Sequence, residues 1–218
     1  MARAKRRPKR KAETSARRSG GASSGATRRP PRVRIIGGKF RGRKLRYGGD
    51  PRVRPMKDRV REAIFNLIGP AIKGKAAIDL FGGTGALGLE ALSRGAVRAT
   101  LIEQHFPTAA VIRENVATLE VESVTRIITS SVFIWHRRGV TPGDLPWVVF
   151  CSPPYDFYTD RTDEMLELIG GLMEVAPDES IFMVEADARF DFDLLPDADQ
   201  WDVRTYAPAV VGVYTKKS

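Results

Sequence analysis

The sequence predicts an α/β fold, a doubly wound and mostly parallel sheet of seven strands that ends in an antiparallel hairpin. From Lys75 onward, apolar runs of strand length alternate with helix-like segments, the rhythm of a sheet whose strands are joined by crossover helices. A glycine-rich turn, Gly83-x-Gly85-x-x-Gly88, joins the first such run to the first such helix. The last two β-rich runs are split only by Ala207-Pro208-Ala209, a link too short for a crossover helix, so those two strands must be antiparallel.

Strands are expected near residues 75–80, 98–102, 124–128, 146–151 and 180–185, and helices near residues 85–94, 106–119, 131–138 and 160–175. Ahead of them, "RPMKDRVREAIFNLI" places Val60, Ala63, Ile64, Leu67 and Ile68 on one face at helical spacing, with Asp58 and Glu62 near its start. Arg54, Lys57, Arg59 and Arg61 make the entrance to this helix positive. Earlier still, "VRIIGGKFRGRKLRY" combines short apolar runs with a Gly37-Gly38 turn signal, which predicts a small, peripheral, basic β-hairpin. Met1 to Arg32 has almost no large apolar residue and cannot offset its ordering entropy, so disorder is expected there. The chain therefore divides into a basic tail (1–32), a basic hairpin extension (33–55) and an α/β domain with a leading helix (56–218).

The 218 residues carry a formal net charge of +10, unevenly placed. Residues 1–61 hold 23 of the 36 Lys and Arg against only Glu13, Asp50 and Asp58, a net +20, which leaves −10 on residues 62–218. A basic arm on an acidic body points to a polyanionic partner, because Lys and Arg release condensed counterions from phosphates. Arg34, Lys39, Arg41, Arg43, Lys44, Arg54 and Arg59 are the side chains expected to meet that partner. The single cysteine, Cys151, excludes an intramolecular disulfide and a Cys-rich zinc site. His105 and His136 lack metal-ligand spacing, and no metal is expected. No run approaches the roughly 18 apolar residues of a membrane span, and no apolar signal-peptide segment follows the first basic residues. A soluble, cytoplasmic monomer is expected.

The glycine spacing alone fits several nucleotide-like cofactors, and its surroundings discriminate among them. Asp79 ends the strand four residues before Gly83, where its charge would repel a pyrophosphate but suit the ammonium and sulfonium groups of S-adenosylmethionine. Glu103 ends the next strand and is placed to accept hydrogen bonds from ribose hydroxyls. Phe81, Gly83 and Gly85 in the turn, with Ser131 and Val132 after the third strand, complete the expected cofactor lining. A parallel sheet finished by an antiparallel hairpin is also the layout of the Rossmann-like class I methyltransferases.

Ser152-Pro153-Pro154-Tyr155 follows a buried strand and so stands at the same sheet edge. Two prolines fix the backbone and remove N–H donors. The Ser152 hydroxyl and Pro153 carbonyl remain as acceptors for an exocyclic amine, favouring its pyramidal, nucleophilic form, and Tyr155 can stack on an extruded base. Carbon-5 methylation needs a cysteine nucleophile, whereas Cys151 lies on the strand itself and reads as core.

"RIIGGKFRGRKL", "RPMKDRVREAIFN", "DLFGGTGALGLEALSRGA" and "SPPY", in this order and spacing, resemble the bacterial 16S ribosomal RNA guanine-N2 methyltransferases, which modify one guanine of the small subunit. The likeness runs from about Val33 to the C-terminus, and its two N-terminal blocks are the more specific. It implies S-adenosylmethionine as donor, the guanine 2-amino group as acceptor and a partly assembled 30S particle as substrate. Three positions depart from the family pattern. Ser152 replaces the usual Asp or Asn, Ser131 an acid or amide near the adenine, and Met56 a threonine. Ser before Pro-Pro-Tyr also occurs in cytosine-N4 methyltransferases. The residues thus leave open a cytosine-N4 or adenine-N6 amino-methyltransferase acting on DNA or RNA, and a non-catalytic rRNA-binding assembly factor.

Overall fold

The computed structural model describes residue 1 and residues 32–50, 55–139 and 143–217; the tail assigned to residues 1–32 lies almost wholly outside them, as does Arg54. The described chain opens with a two-stranded antiparallel ribbon, β1 (Val33–Arg34) and β2 (Lys44–Leu45), followed by helix α1 (Asp58–Ile68). Then come β3 (Ala76–Asp79), α2 (Ala86–Arg94), β4 (Arg98–Ile102), α3 (Phe106–Leu119), β5 (Thr125–Ile128) and α4 (Val132–Arg137). The second half runs β6 (Trp147–Cys151), α5 (Phe157–Asp160), α6 (Thr162–Val175), β7 (Ile181–Asp187), β8 (Asp202–Tyr206) and β9 (Ala209–Thr215). The main sheet has seven strands in the order β5-β4-β3-β6-β7-β9-β8, parallel from β5 to β7 and antiparallel at both β9 pairings.

The central strands β3, β6 and β7 read as nearly continuous apolar runs because both sheet faces are covered there. Side chains alternate across a strand, and along β6 Val148 and Phe150 enter the core shared by α1, α2 and α3, whereas Trp147, Val149 and Cys151 enter the core under α4 and α6. The last strand, β9, slots between β7 and β8 with its apolar residues inward, leaving β8 as the edge. There Arg204 Nε bonds Asp202 Oδ1 at 2.9 Å on an exposed strand, and charge on an edge discourages pairing with another chain. Between β7 and β8 the chain makes two short 3-10 turns, Phe192–Leu194 and Ala198–Gln200. Phe190, Phe192, Leu195 and Trp201 there complete the second core.

The expected hairpin forms, but it is not peripheral. Val33, Ile35 and Leu45 are buried in the same core as α1 and α2. Glu90 of α2, fully buried, accepts hydrogen bonds from the backbone N–H of Ile36 and of Gly37, both at 2.7 Å. Ser93 accepts from Phe40 N–H at 2.9 Å and donates to Gly37 O at 2.5 Å. At Gly38 (φ +72°) a Cβ would lie 1.8 Å from Ser93 O, so only glycine allows the contact.

Arg61, expected at a positive entrance, is instead buried at 1% exposure. Its Nη2 donates to Arg34 O at 2.6 Å and to Asp58 Oδ1 at 3.0 Å, and its Nε lies 3.9 Å from Glu90 Oε2. Burial pulls its pKa below the ordinary arginine value, with Glu90 and then Asp58 opposing. The same rotation brings Phe65 inward against Phe150, ring centroids 5.4 Å apart. Ala63 and Leu67, expected inside, are half-buried. Removing one member of a buried ion pair typically costs about 3 to 5 kcal/mol. Glu90→Gln should therefore lower the urea midpoint by a corresponding amount and expose the hairpin to proteolysis; an unchanged midpoint would mean that the carboxylate does not hold it.

Candidate functional site

The glycine turn is shaped by how closely α2 approaches the sheet. A Cβ at Gly88 would lie 2.4 Å from Leu101 Cδ2, and one at Gly82 would lie 2.9 Å from Ile112 Cδ1. Gly82 N–H donates to Ile102 O at 2.7 Å, and Gly85, in the left-handed region at φ +78°, caps the start of α2. The carboxyl ends of β3, β4, β6 and β7 border a cavity of about 590 Å³ beside this turn. Asp79, Phe81, Gly83, Glu103, Ser131, Val132, Ser152, Pro153, Pro154 and Tyr155 all line it. Gly85 does not: it shapes the turn from behind rather than facing the cavity.

Asp79 is 1% exposed. Its Oδ2 accepts from Gly88 N–H at 3.3 Å, while its Oδ1 is buried without a hydrogen-bond partner among the described residues. Burial pushes this carboxyl up to about 7, partly offset by the backbone N–H groups of Gly88 and Phe81. A buried carboxylate whose hydrogen-bond complement is incomplete, on a residue that borders the cavity, suits a cationic ligand group. Glu103 accepts from Gly83 N–H at 2.9 Å and from His105 N–H at 2.8 Å, and each oxygen keeps a second lone pair for a ligand hydroxyl. Phe81, Phe133 and Phe157 form an aromatic wall, with Phe157 meeting Phe81 edge-on at 5.9 Å and stacking on Phe133 at 6.3 Å.

At the other end stands the Ser-Pro-Pro-Tyr turn. The Ser152 hydroxyl donates to Glu185 Oε2, and the Tyr155 hydroxyl donates to Glu185 Oε1 at 2.8 Å. Glu185, near the end of β7 and 6% exposed, also lines the cavity and is the principal residue that sequence reasoning missed. Its only signal is an acid inside the apolar run "IFMVEAD". Cys151 is core as expected: burial pushes its thiol up to about 12, and its Sγ lies 3.5 Å from the Tyr158 hydroxyl.

Asp50, Met56 and Lys57, from the described parts of the segment between β2 and α1, line the same cavity. Asp50 Oδ2 lies 3.0 Å from His105 Nδ1, so His105 belongs to the rim. The basic residues stand apart on the hairpin and the start of α1. Arg34, Lys39, Arg41, Arg43, Lys44 and Arg59 are all exposed, with Arg34 paired to Asp58 at 2.9 Å and Arg43 donating to Thr118 O at 2.5 Å. Among the described residues no group of three or more His, Cys, Asp or Glu could hold a metal, and no helix is long and apolar enough to cross a membrane.

A parallel sheet closed by slotting its last strand antiparallel beside β7, with its cavity at the strand carboxyl ends, is the architecture of the Rossmann-like class I methyltransferases. The fold places this protein in that class. More narrowly, the chain belongs to the family described as Conserved hypothetical protein 95, whose model matches residues 33–214. It is 39% identical over 158 residues to Ribosomal RNA small subunit methyltransferase D of Escherichia coli (strain K12), covering 72% of this chain and 76% of the relative. The solved structure of the Escherichia coli protein yhhF superimposes with a TM-score of 0.71 at 32% identity, covering 86% of this chain and 99% of that one. A Thermus thermophilus 16S rRNA N2 G1207 methyltransferase, solved with AdoMet and guanosine, shares the fold at a TM-score of 0.65 and 16% identity, covering 85% of this chain and 50% of that one.

Because burial pushes the Asp79 carboxyl up to about 7 and a cation pairs only with its ionised form, ligand affinity should depend on pH. Calorimetric affinity for S-adenosylhomocysteine should be flat above that value and fall about tenfold per pH unit below it. Asp79→Asn should weaken binding at least tenfold and abolish the slope. A flat wild-type profile down to about pH 5.5 would separate Asp79 from the ligand cation.

Proposed function

We propose that this protein transfers a methyl group from S-adenosylmethionine to the 2-amino group of a guanine in 16S ribosomal RNA, presented in a partly assembled 30S particle. The observation that carries the reading is that the acceptor pair at Ser152 and Pro153 shares one cavity with the strand-end acids Asp79 and Glu103. The family relationship and the relative named Ribosomal RNA small subunit methyltransferase D support it.

In this reading Asp79 takes the donor's ammonium group and Glu103 its ribose hydroxyls. Phe81, Ser131 and Val132 border the adenine, while Gly83 and Gly85 keep the turn bare. S-adenosylmethionine supplies an activated methyl group on a sulfonium. Tyr155 stacks on the extruded base, its ring held by the bond from its hydroxyl to Glu185. Ser152 Oγ and Pro153 O accept from the two amine N–H groups, which turns the nitrogen lone pair toward the methyl carbon. With the donor bound, Ser152 and Pro153 would hold the amine nitrogen in line with the methyl carbon, the carbon–sulfur pair would pass to sulfur as the nitrogen–carbon bond formed, and the proton of the cationic nitrogen would pass to solvent water. No strong general base is needed, and holding both reactants in line supplies much of the acceleration.

The basic hairpin and α1 meet RNA phosphates through Arg34, Lys39, Arg41, Arg43, Lys44 and Arg59, and Arg54 and the basic tail extend that surface in sequence. The acidic body keeps the remaining surface from binding RNA indiscriminately. The protein works as a cytoplasmic monomer.

Losing a preorganised acceptor costs on the order of 1 to 3 kcal/mol. Single-turnover methylation of small-subunit particles from cells lacking the protein should therefore slow about tenfold or more in Ser152→Ala, with S-adenosylmethionine affinity unchanged. Equal rates would remove Ser152 from catalysis, and no transfer even by wild type would favour a non-catalytic assembly factor. For the hairpin, replacing Arg41 and Lys44 by Ala should flatten the salt dependence of particle binding by about 0.7 to 0.9 in logarithmic slope per lost phosphate contact. An unaltered slope would move the RNA surface elsewhere.

A further inference from the structure

Glu185 does more in this geometry than orient its neighbours. Each of its oxygens accepts one hydrogen bond, from Ser152 and from Tyr155, and each keeps a second lone pair. The Ser152 hydroxyl has one proton, and that proton points at Glu185. Ser152 therefore faces the cavity as an acceptor only, in the manner of the aspartate or asparagine it replaces. Ser152 Oγ and Glu185 Oε2 stand one hydrogen bond apart at the cavity wall. Side by side they form an acceptor pair, spaced for two N–H donors borne on one carbon, as a carboxylate is spaced for a guanidinium fork.

Three nucleobases carry an exocyclic amine, and they differ at the neighbouring ring nitrogen on the Watson–Crick edge. In adenine and in cytosine that atom is an acceptor, so it would face the Glu185 carboxylate lone pair to lone pair. In guanine it is N1–H, a donor bonded to the same carbon as the 2-amino group. We infer that Glu185 is the residue that selects guanine, accepting N1–H while Ser152 and Pro153 hold the amine. The inference rests on the methyl-transfer reading of this cavity. It also separates that reading from cytosine-N4 and adenine-N6 methylation, which the Ser-Pro-Pro-Tyr sequence by itself allows.

Guanosine and 2-aminopurine riboside provide the test, since both carry the 2-amino group but only guanosine carries a hydrogen on N1. Calorimetry on the full chain saturated with S-adenosylhomocysteine should show guanosine binding at least about tenfold more tightly than 2-aminopurine riboside. In Glu185→Gln the side-chain amide can present a donor, and the ratio should fall to about one or invert; in Glu185→Ala it should fall to about one. If Glu185 only orients Ser152 and Tyr155, both variants weaken the two nucleosides equally and leave the ratio unchanged, which overturns the inference. Undetectable guanosine binding, or no wild-type preference, overturns it as well. S-adenosylhomocysteine affinity and thermal midpoint, measured on each variant, identify a misfolded one, in which case Glu185→Asp carries the comparison and should retain a preference for guanosine. Because nucleoside binding is read without turnover, failure of methyl transfer to small-subunit particles counts against the proposed function and is separable from this result.

Discussion

Helix α2 packs against the sheet at Gly88, and several parts of the site rest on that helix. A Cβ there would lie 2.4 Å from Leu101 Cδ2, so any other residue would force the Leu101 side chain to shift within the core. The same short distance lets Gly88 N–H reach Asp79 at 3.3 Å. A turn farther along, Glu90 and Ser93 fasten the hairpin. One helix therefore sets the cavity floor, steadies the acid beneath it and holds the basic hairpin in a fixed place relative to both. Three glycines divide the work: Gly83 in the turn borders the cavity, Gly85 caps the start of α2, and Gly88 within α2 lies against Leu101.

The acids of the cavity are arranged by what each already holds. Glu103 grips two backbone N–H groups of the turn, and Glu185 grips two hydroxyls of the opposite turn. Asp79 alone keeps a buried oxygen with no partner among the described residues. Burial of such an acceptor disfavours its charged form, which a cation beside it would restore. Of the cations that border the cavity, Arg189 is paired with Asp156 and Asp187, while the exposed arginines and lysines of the hairpin lie outside it. The exposed basic residues of the hairpin thus stand apart from the cavity, which Asp50, Met56 and Lys57 border on the side between β2 and α1.

Most of the main fold was legible in the sequence because the central strands β3, β6 and β7, covered on both faces, are nearly continuous apolar runs separated by helix-like segments. The antiparallel ending followed from the short link at Pro208, although that link does not reveal that β9 lies inside β8. Strand-end acids and the Ser-Pro-Pro-Tyr turn were readable because chain order alone puts them at one edge. Glu185 was not, since its partners Ser152 and Tyr155 lie 33 and 30 residues away and a single acid in a strand has no period. Arg61 was misplaced for a related reason: an arginine in the first turn of a helix reads as solvent-facing unless its distant counter-ion, Glu90, is known.

The order of the sheet also bears on how the site comes into being. Glu185 pairs across the sheet with Val211, so β7 has no neighbour on that side until residues 209–215 have been synthesised. β8 pairs only with β9, so β9 adds to the open edge of β7 and brings β8 with it as a hairpin, and the pairing with β7 is the non-local part of that step. The glycine turn, α2 and the hairpin all lie within the first half of the chain and can settle against β3 and β4 early. The wall bearing Ser152, Tyr155 and Glu185 is completed last, so during synthesis the half that would recognise a cofactor precedes the half that would recognise a base.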